Sequence, residues 1–123
     1  MIARYVSLYT DEVGESHFAD VEAELTLVEF APPAASLNLS AFFPASQTAF
    51  LSAPAGWLGD RHPSPARNLF VVISGEWEVT ASDNETRRFS AGSILLVEDT
   101  SGKGHNSRVV SDEDSLAVLV QLT

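Results

Sequence analysis

The sequence predicts an all-β chain closed into one small antiparallel barrel. Helical periodicity is almost absent, short β-rich runs recur about every eight to ten residues from Leu69 onward, and turn residues fill the gaps between them.

In chain order, residues 3–9 and 22–30 read as strands, Pro32-Pro33 marks a break, and residues 37–43 and 48–52 read as two further extended segments. Six runs follow at 69–73, 76–81, 86–89, 94–97, 107–110 and 116–121. Ser74-Gly75, Asp83-Asn84 and Ala91-Gly92 supply tight turns between them, and Asp112-Glu113-Asp114 a solvated loop. Runs so closely spaced predict a meander of antiparallel neighbours. Residues 76–81 alternate, which turns Trp77, Val79 and Ala81 to the core and Glu76, Glu78 and Thr80 to water. Runs 69–73 and 116–120 are apolar throughout, as expected of strands covered on both faces, and a homodimer is the economical source of the outer cover.

A chain of 123 residues is sized for one domain, taken as residues 1–123, with enough apolar content to build a core. The absence of cysteine excludes disulfides, thiolate metal sites and cysteine nucleophiles. The opening residues carry no signal-like apolar stretch, and runs 69–73 and 116–120 are far shorter than the ~20 residues of a membrane-spanning helix, so a cytoplasmic protein without membrane contact is expected. Seven basic against seventeen acidic residues give a net charge of −10, which repels nucleic acid. Arg61, Arg67, Arg87, Arg88, Lys103 and Arg108 cluster in the second half and leave an anionic ligand open. No G-x-S-x-G signature points to a serine hydrolase.

Two of the three histidines, His62 and His105, precede strands that a barrel can bring together; His17 has no informative position. In this region the sequence resembles the cupin family, whose first motif begins G-x5-H-x-H, continues to a Glu and closes on a Gly. Set on that frame and ending at Gly75, His62 takes the first ligand position, Ser64 replaces the second histidine and Asn68 replaces the Glu. His105 takes the histidine of the second motif, after Ala91-Gly92-Ser93 where the family has Pro-Gly-Asp. The resemblance spans residues 59–120, and "EDTSGKGH" is similar to a segment of certain stand-alone cupins. It implies a jelly-roll barrel and a site in its mouth; family members include enzymes, sensors and storage proteins.

Two imidazoles fall short of a transition-metal shell, so Glu98 or Asn68 is needed to hold iron, manganese, nickel or zinc. With Ile94 and Leu96 pointing inward, the two-residue period would bring Glu98 to His62 and His105; otherwise Glu98 and Asp99 bond to amides of the glycine-rich turn. Trp57, Ser64, Phe70 and Arg67 are candidate pocket residues, with core packing the alternative for the aromatics. Gly102 and Gly104 permit a sharp bend.

Three readings of function follow. The first is a small-molecule-binding barrel whose divalent metal acts on a small organic acid or similar substrate. The second is a metal-free ligand-binding or sensor module, and the third an obligate dimer without catalysis.

Overall fold

The computed structural model describes residues 1–123 as strands and connections with no helix, and so with no helix able to cross a membrane. Strand β1 (Ile2–Thr10) turns through Asp11–Gly14 into β2 (Ser16–Glu24), where the Asp11 carboxylate accepts from the Val13 and Glu15 amides and Gly14 takes φ +88°. This turn starts β2 at Ser16, six residues before the expected strand at residues 22–30, and β2 ends at Glu24. The turn's local signal is an aspartate capping its own loop ahead of a glycine. Short strands β3 (Thr26–Val28) and β4 (Leu37–Leu39) pair only with each other, on either side of Pro32-Pro33.

The remaining strands are β5 (Ala45–Ala53), β6 (Leu58–His62), β7 (Asn68–Ser74), β8 (Trp77–Ala81), β9 (Thr86–Phe89), β10 (Ile94–Val97), β11 (His105–Val109) and β12 (Ser115–Leu122). A six-stranded sheet, β2-β1-β10-β7-β12-β5, faces a four-stranded sheet, β6-β11-β8-β9. All pairs are antiparallel except β1 with β10. The architecture is a jelly roll.

The expected meander is not formed. Consecutive strands β7 and β8, β10 and β11, and β11 and β12 lie in opposite sheets, so the chain repeatedly crosses the core. Ser74-Gly75 is accordingly a corner between sheets. A Cβ on Gly75 would lie 2.8 Å from the Ser115 Cα, and its φ is +78°. The corner is tied by Ser115, whose hydroxyl donates to the Ser74 carbonyl at 2.9 Å and accepts from the Trp77 indole at 2.6 Å.

Alternation along β8 holds as expected, with Trp77, Val79 and Ala81 in the core beside Leu8, Val72, Phe89, Leu95 and Val109. Burial of each such side chain contributes about 1.5–3 kcal/mol. The all-apolar strands behave differently from the expectation. In β7 and β12, Val72 and Ala117 are sealed inside, whereas Ile73 and Leu116 stay exposed on the outer face. On the outer face Leu69 and Val120 lie beside the chain's own residues 40–43, so within one chain these strands are covered on that side at one end only.

His17 lies where the two sheets meet at the β1–β2 turn. Its Nε2 is 2.7 Å from Asp11 and its Nδ1 2.9 Å from Asp83, joining that turn to the β8–β9 hairpin. The paired carboxylates raise the pKa of His17, and the same contact lowers that of Asp11.

Candidate functional site

Strand β6 ends at His62 and β11 begins at His105, and the two residues are direct cross-strand partners. Their rings lie 5.3 Å apart. Gly104 makes this approach possible: at φ +73°, a Cβ there would fall 2.1 Å from the His62 carbonyl carbon. Gly102 does the same against Gly14, whose oxygen would be 2.4 Å from an added Cβ. The bend expected of these glycines exists because two backbones touch. Ser16 holds it from beneath by donating its hydroxyl to the Gly104 carbonyl at 2.7 Å.

The histidines open onto a cavity of about 260 Å³ between the sheets, with Ser64, Asn68 and Ser107 as its other polar residues. The rest of the lining is mainly aliphatic and aromatic, with Leu51, Leu95, Val97 and Leu119 added to the expected Trp57 and Phe70. Both aromatics also pack on the core, each meeting the Trp77 ring edge to face, Phe70 at 5.4 Å and Trp57 at 5.6 Å. Gly59 leaves room for the Trp57 ring beside it, since a Cβ there would meet that ring at 2.5 Å. Ser64 donates to the Ala66 carbonyl at 2.6 Å, and its oxygen lies 3.4 Å from the Asn68 amide nitrogen.

Glu98 does not join this set. Leu95 pairs with Phe70 and Val6 and points inward with Val97, so Ile94, Leu96 and Glu98 share the outer face, opposite to the expected register. Glu98 accepts from Ser7 at 2.6 Å and faces Arg67 at 3.4 Å. Arg67 is likewise absent from the cavity lining. Arg87, Arg88, Lys103 and Arg108 also pair with carboxylates, and no lysine or arginine lines the cavity.

The same parity turns Asp99 inward, to a position missed in the sequence. It is fully buried, and its Oδ2 lies 2.6 Å from His105 Nδ1. With the carboxylate ionised, Nδ1 is the donor and Nε2 remains open to the cavity. The other oxygen, Oδ1, is buried with no hydrogen-bond partner. The Asp99 backbone carbonyl accepts from the Ser64 amide at 2.9 Å, joining the His105 turn to the segment after His62. Turn amides, the expected partners of Asp99, are not bonded by its side chain.

The donors brought together are two imidazoles and the Asn68 amide oxygen, and no cluster of three or more His, Asp or Glu side chains is placed to hold a metal. This set does not complete a transition-metal shell. It suits hydrogen bonding to a polar group on a mostly apolar molecule.

A two-sheet jelly roll with an apolar cavity and a histidine pair at its mouth defines the class. No family model matches the sequence, and no curated protein matches it. Solved structures do. The cupin domain of Schizosaccharomyces pombe Cnp3 superposes with a TM-score of 0.51 at 14% identity, over 99% of this chain and 83% of that one. A conserved protein of unknown function from Streptococcus pyogenes is 25% identical with a TM-score of 0.46, over 62% of each chain, so the match spans less than two thirds of that protein. A putative ethanolamine utilization protein from Salmonella typhimurium LT2 gives 13% identity and 0.42, over 99% and 97%. The chain has the cupin fold.

Proposed function

We propose that this domain binds a small, uncharged organic molecule of aromatic size between its sheets, without a resident metal. The carrying observation is the buried Asp99 held on His105 Nδ1, which fixes the imidazole so that Nε2 meets the ligand. A buried carboxylate oxygen without a partner is costly, and a site for orienting His105 gives that cost a purpose. Trp57, Phe70 and Leu95 form the apolar walls, and His62, Ser64, Asn68 and Ser107 offer further polar contacts. An organic acid, one of the substrates the sequence suggested, lacks support because no lysine or arginine lines the cavity and Arg67 is committed to Glu98.

The metal reading keeps one favourable observation, the 5.3 Å approach of His62 and His105. Against it stands the loss of Glu98 from the donor set.

Thermal-shift screening of neutral aromatics and lactones beside matched carboxylates tests the proposal, with elemental analysis of the same preparation. The expected result is a melting-temperature rise with neutral compounds only, abolished by His105→Ala, and less than about 0.1 equivalent of metal. Stabilisation by carboxylates alone, or stoichiometric metal lost on His62→Ala, would overturn it.

A further inference from the structure

Given the ligand site proposed above, on which this rests, we infer that its occupant is a neutral hydrogen-bond donor, an aromatic or similarly apolar frame carrying an O–H or N–H. Asp99 sets this polarity. Its Oδ2 lies 2.6 Å from Nδ1 of His105, and that is the carboxylate's one hydrogen bond, since Oδ1 is buried without a partner. An ionised carboxylate can only accept, so the imidazole proton stays on Nδ1 and Nε2 meets the cavity with its lone pair. The negative charge behind the ring polarises it and strengthens that acceptor.

The neighbouring groups are fixed in the same sense. Ser64 donates its hydroxyl proton to the Ala66 carbonyl at 2.6 Å and so can only accept from Asn68, 3.4 Å away. The Asn68 amide is thereby oriented with Oδ1 left as an acceptor. His62 and Ser107 can each donate or accept, and adapt to the molecule that is bound. Charged donors do not fit. No carboxylate lines the cavity, Asp99 lies behind the His105 ring, and the apolar walls would strip an ammonium of its water without replacing it. A phenol or an indole carries the donor on a frame that Trp57, Phe70 and Leu95 can cover. Its methylated counterpart leaves Nε2 unpaired against apolar surface. The His105 side chain is only 11% exposed, so water repairs little of that loss.

Calorimetric titration of phenol against anisole, and of indole against 1-methylindole, into the full chain and into Asp99→Asn tests this inference, with imidazole nitrogen NMR of the wild type. Phenol and indole are expected to bind at least about tenfold more tightly than their methylated partners. In Asp99→Asn, where His105 can carry its proton on Nε2, that ratio should fall to about one. Exclusion of the methyl group by shape alone would survive the substitution unchanged, and that result would overturn the inference. The NMR needs no variant. Nε2 is expected to be unprotonated in the free protein, with its signal shifted by phenol and not by anisole. A protonated Nε2 would overturn the inference whether or not Asp99→Asn folds. Equal affinity within both pairs would overturn it and leave the ligand site standing, whereas binding of none of these compounds would remove the site and the inference together.

Discussion

The Asp99 carboxylate lies 2.6 Å from the His105 imidazole and is sealed from solvent. This pair determines which ring nitrogen the cavity meets. Asp99→Asn keeps the shape but can offer an amide N–H, so His105 would accept at Nδ1 and carry its proton on Nε2. The expected outcome is a fold stable to within about 1 kcal/mol, because the unpartnered Oδ1 also changes character. Imidazole nitrogen NMR would report a tautomer exchange, and affinity for the thermal-shift ligand would fall about tenfold. An unchanged tautomer would remove the orienting role from Asp99.

Gly104 allows His62 and His105 to be neighbours. Gly104→Ala adds a Cβ 2.1 Å from the His62 carbonyl carbon while holding a residue at φ +73°. Neither problem can be relieved without separating β6 from β11. A loss of about 3 kcal/mol is expected in urea denaturation, with ligand-induced stabilisation lost even where the variant remains folded. Gly92→Ala, at φ +91° with nothing near its Cβ, is the comparison for backbone strain alone.

The site was partly legible because turn chemistry and alternation are local, whereas sheet assignment is not. The alternation of Glu76 to Ala81 placed Trp77 in the core correctly, since one strand face of a sandwich meets water. In residues 94–97 all four side chains are apolar, so alternation carries no sign, and the inward face was assigned to Ile94 and Leu96 instead of Leu95 and Val97. That single inversion moved Glu98 into the site and Asp99 out of it. Only the register of β10 against β7, Leu95 opposite Phe70, settles the parity. The meander failed for a related reason: Gly75 reads equally well as a hairpin turn or as a corner between sheets, and contact with Ser115, forty residues on, makes it a corner.

That corner gives a stability prediction. Ser115→Ala leaves the Trp77 indole N–H without its 2.6 Å acceptor in a buried position. The Ser74 carbonyl loses its donor as well. A destabilisation of about 1–3 kcal/mol is expected, measured by the urea midpoint at unchanged m-value. Indole fluorescence supplies a local reading. A cost below about 0.5 kcal/mol would mean that another group bonds the indole.

His17 makes stability depend on pH. Both ring nitrogens face carboxylates, Asp11 at 2.7 Å and Asp83 at 2.9 Å, and both can donate only from the imidazolium. Glu15 and Lys103 form a neighbouring pair at 2.9 Å, and the Tyr9 ring packs at 5.6 Å from His17. The folded-state pKa of His17 is raised chiefly by the hydrogen bond to Asp11 and then by that to Asp83. Its contribution is therefore complete below the unfolded value of about 6.5 and is lost as pH rises through the higher folded value. Asp11 has the opposite sign. Its lowered pKa, caused first by the His17 hydrogen bond, gives stability that is present above about 3.9 and lost as pH falls through the folded value. Urea midpoints from about pH 5 to pH 9 should decline on the alkaline side in the wild type. His17→Gln should flatten that decline, because its amide has no proton to lose in this range. An equally steep alkaline decline in the variant would assign the effect to another group.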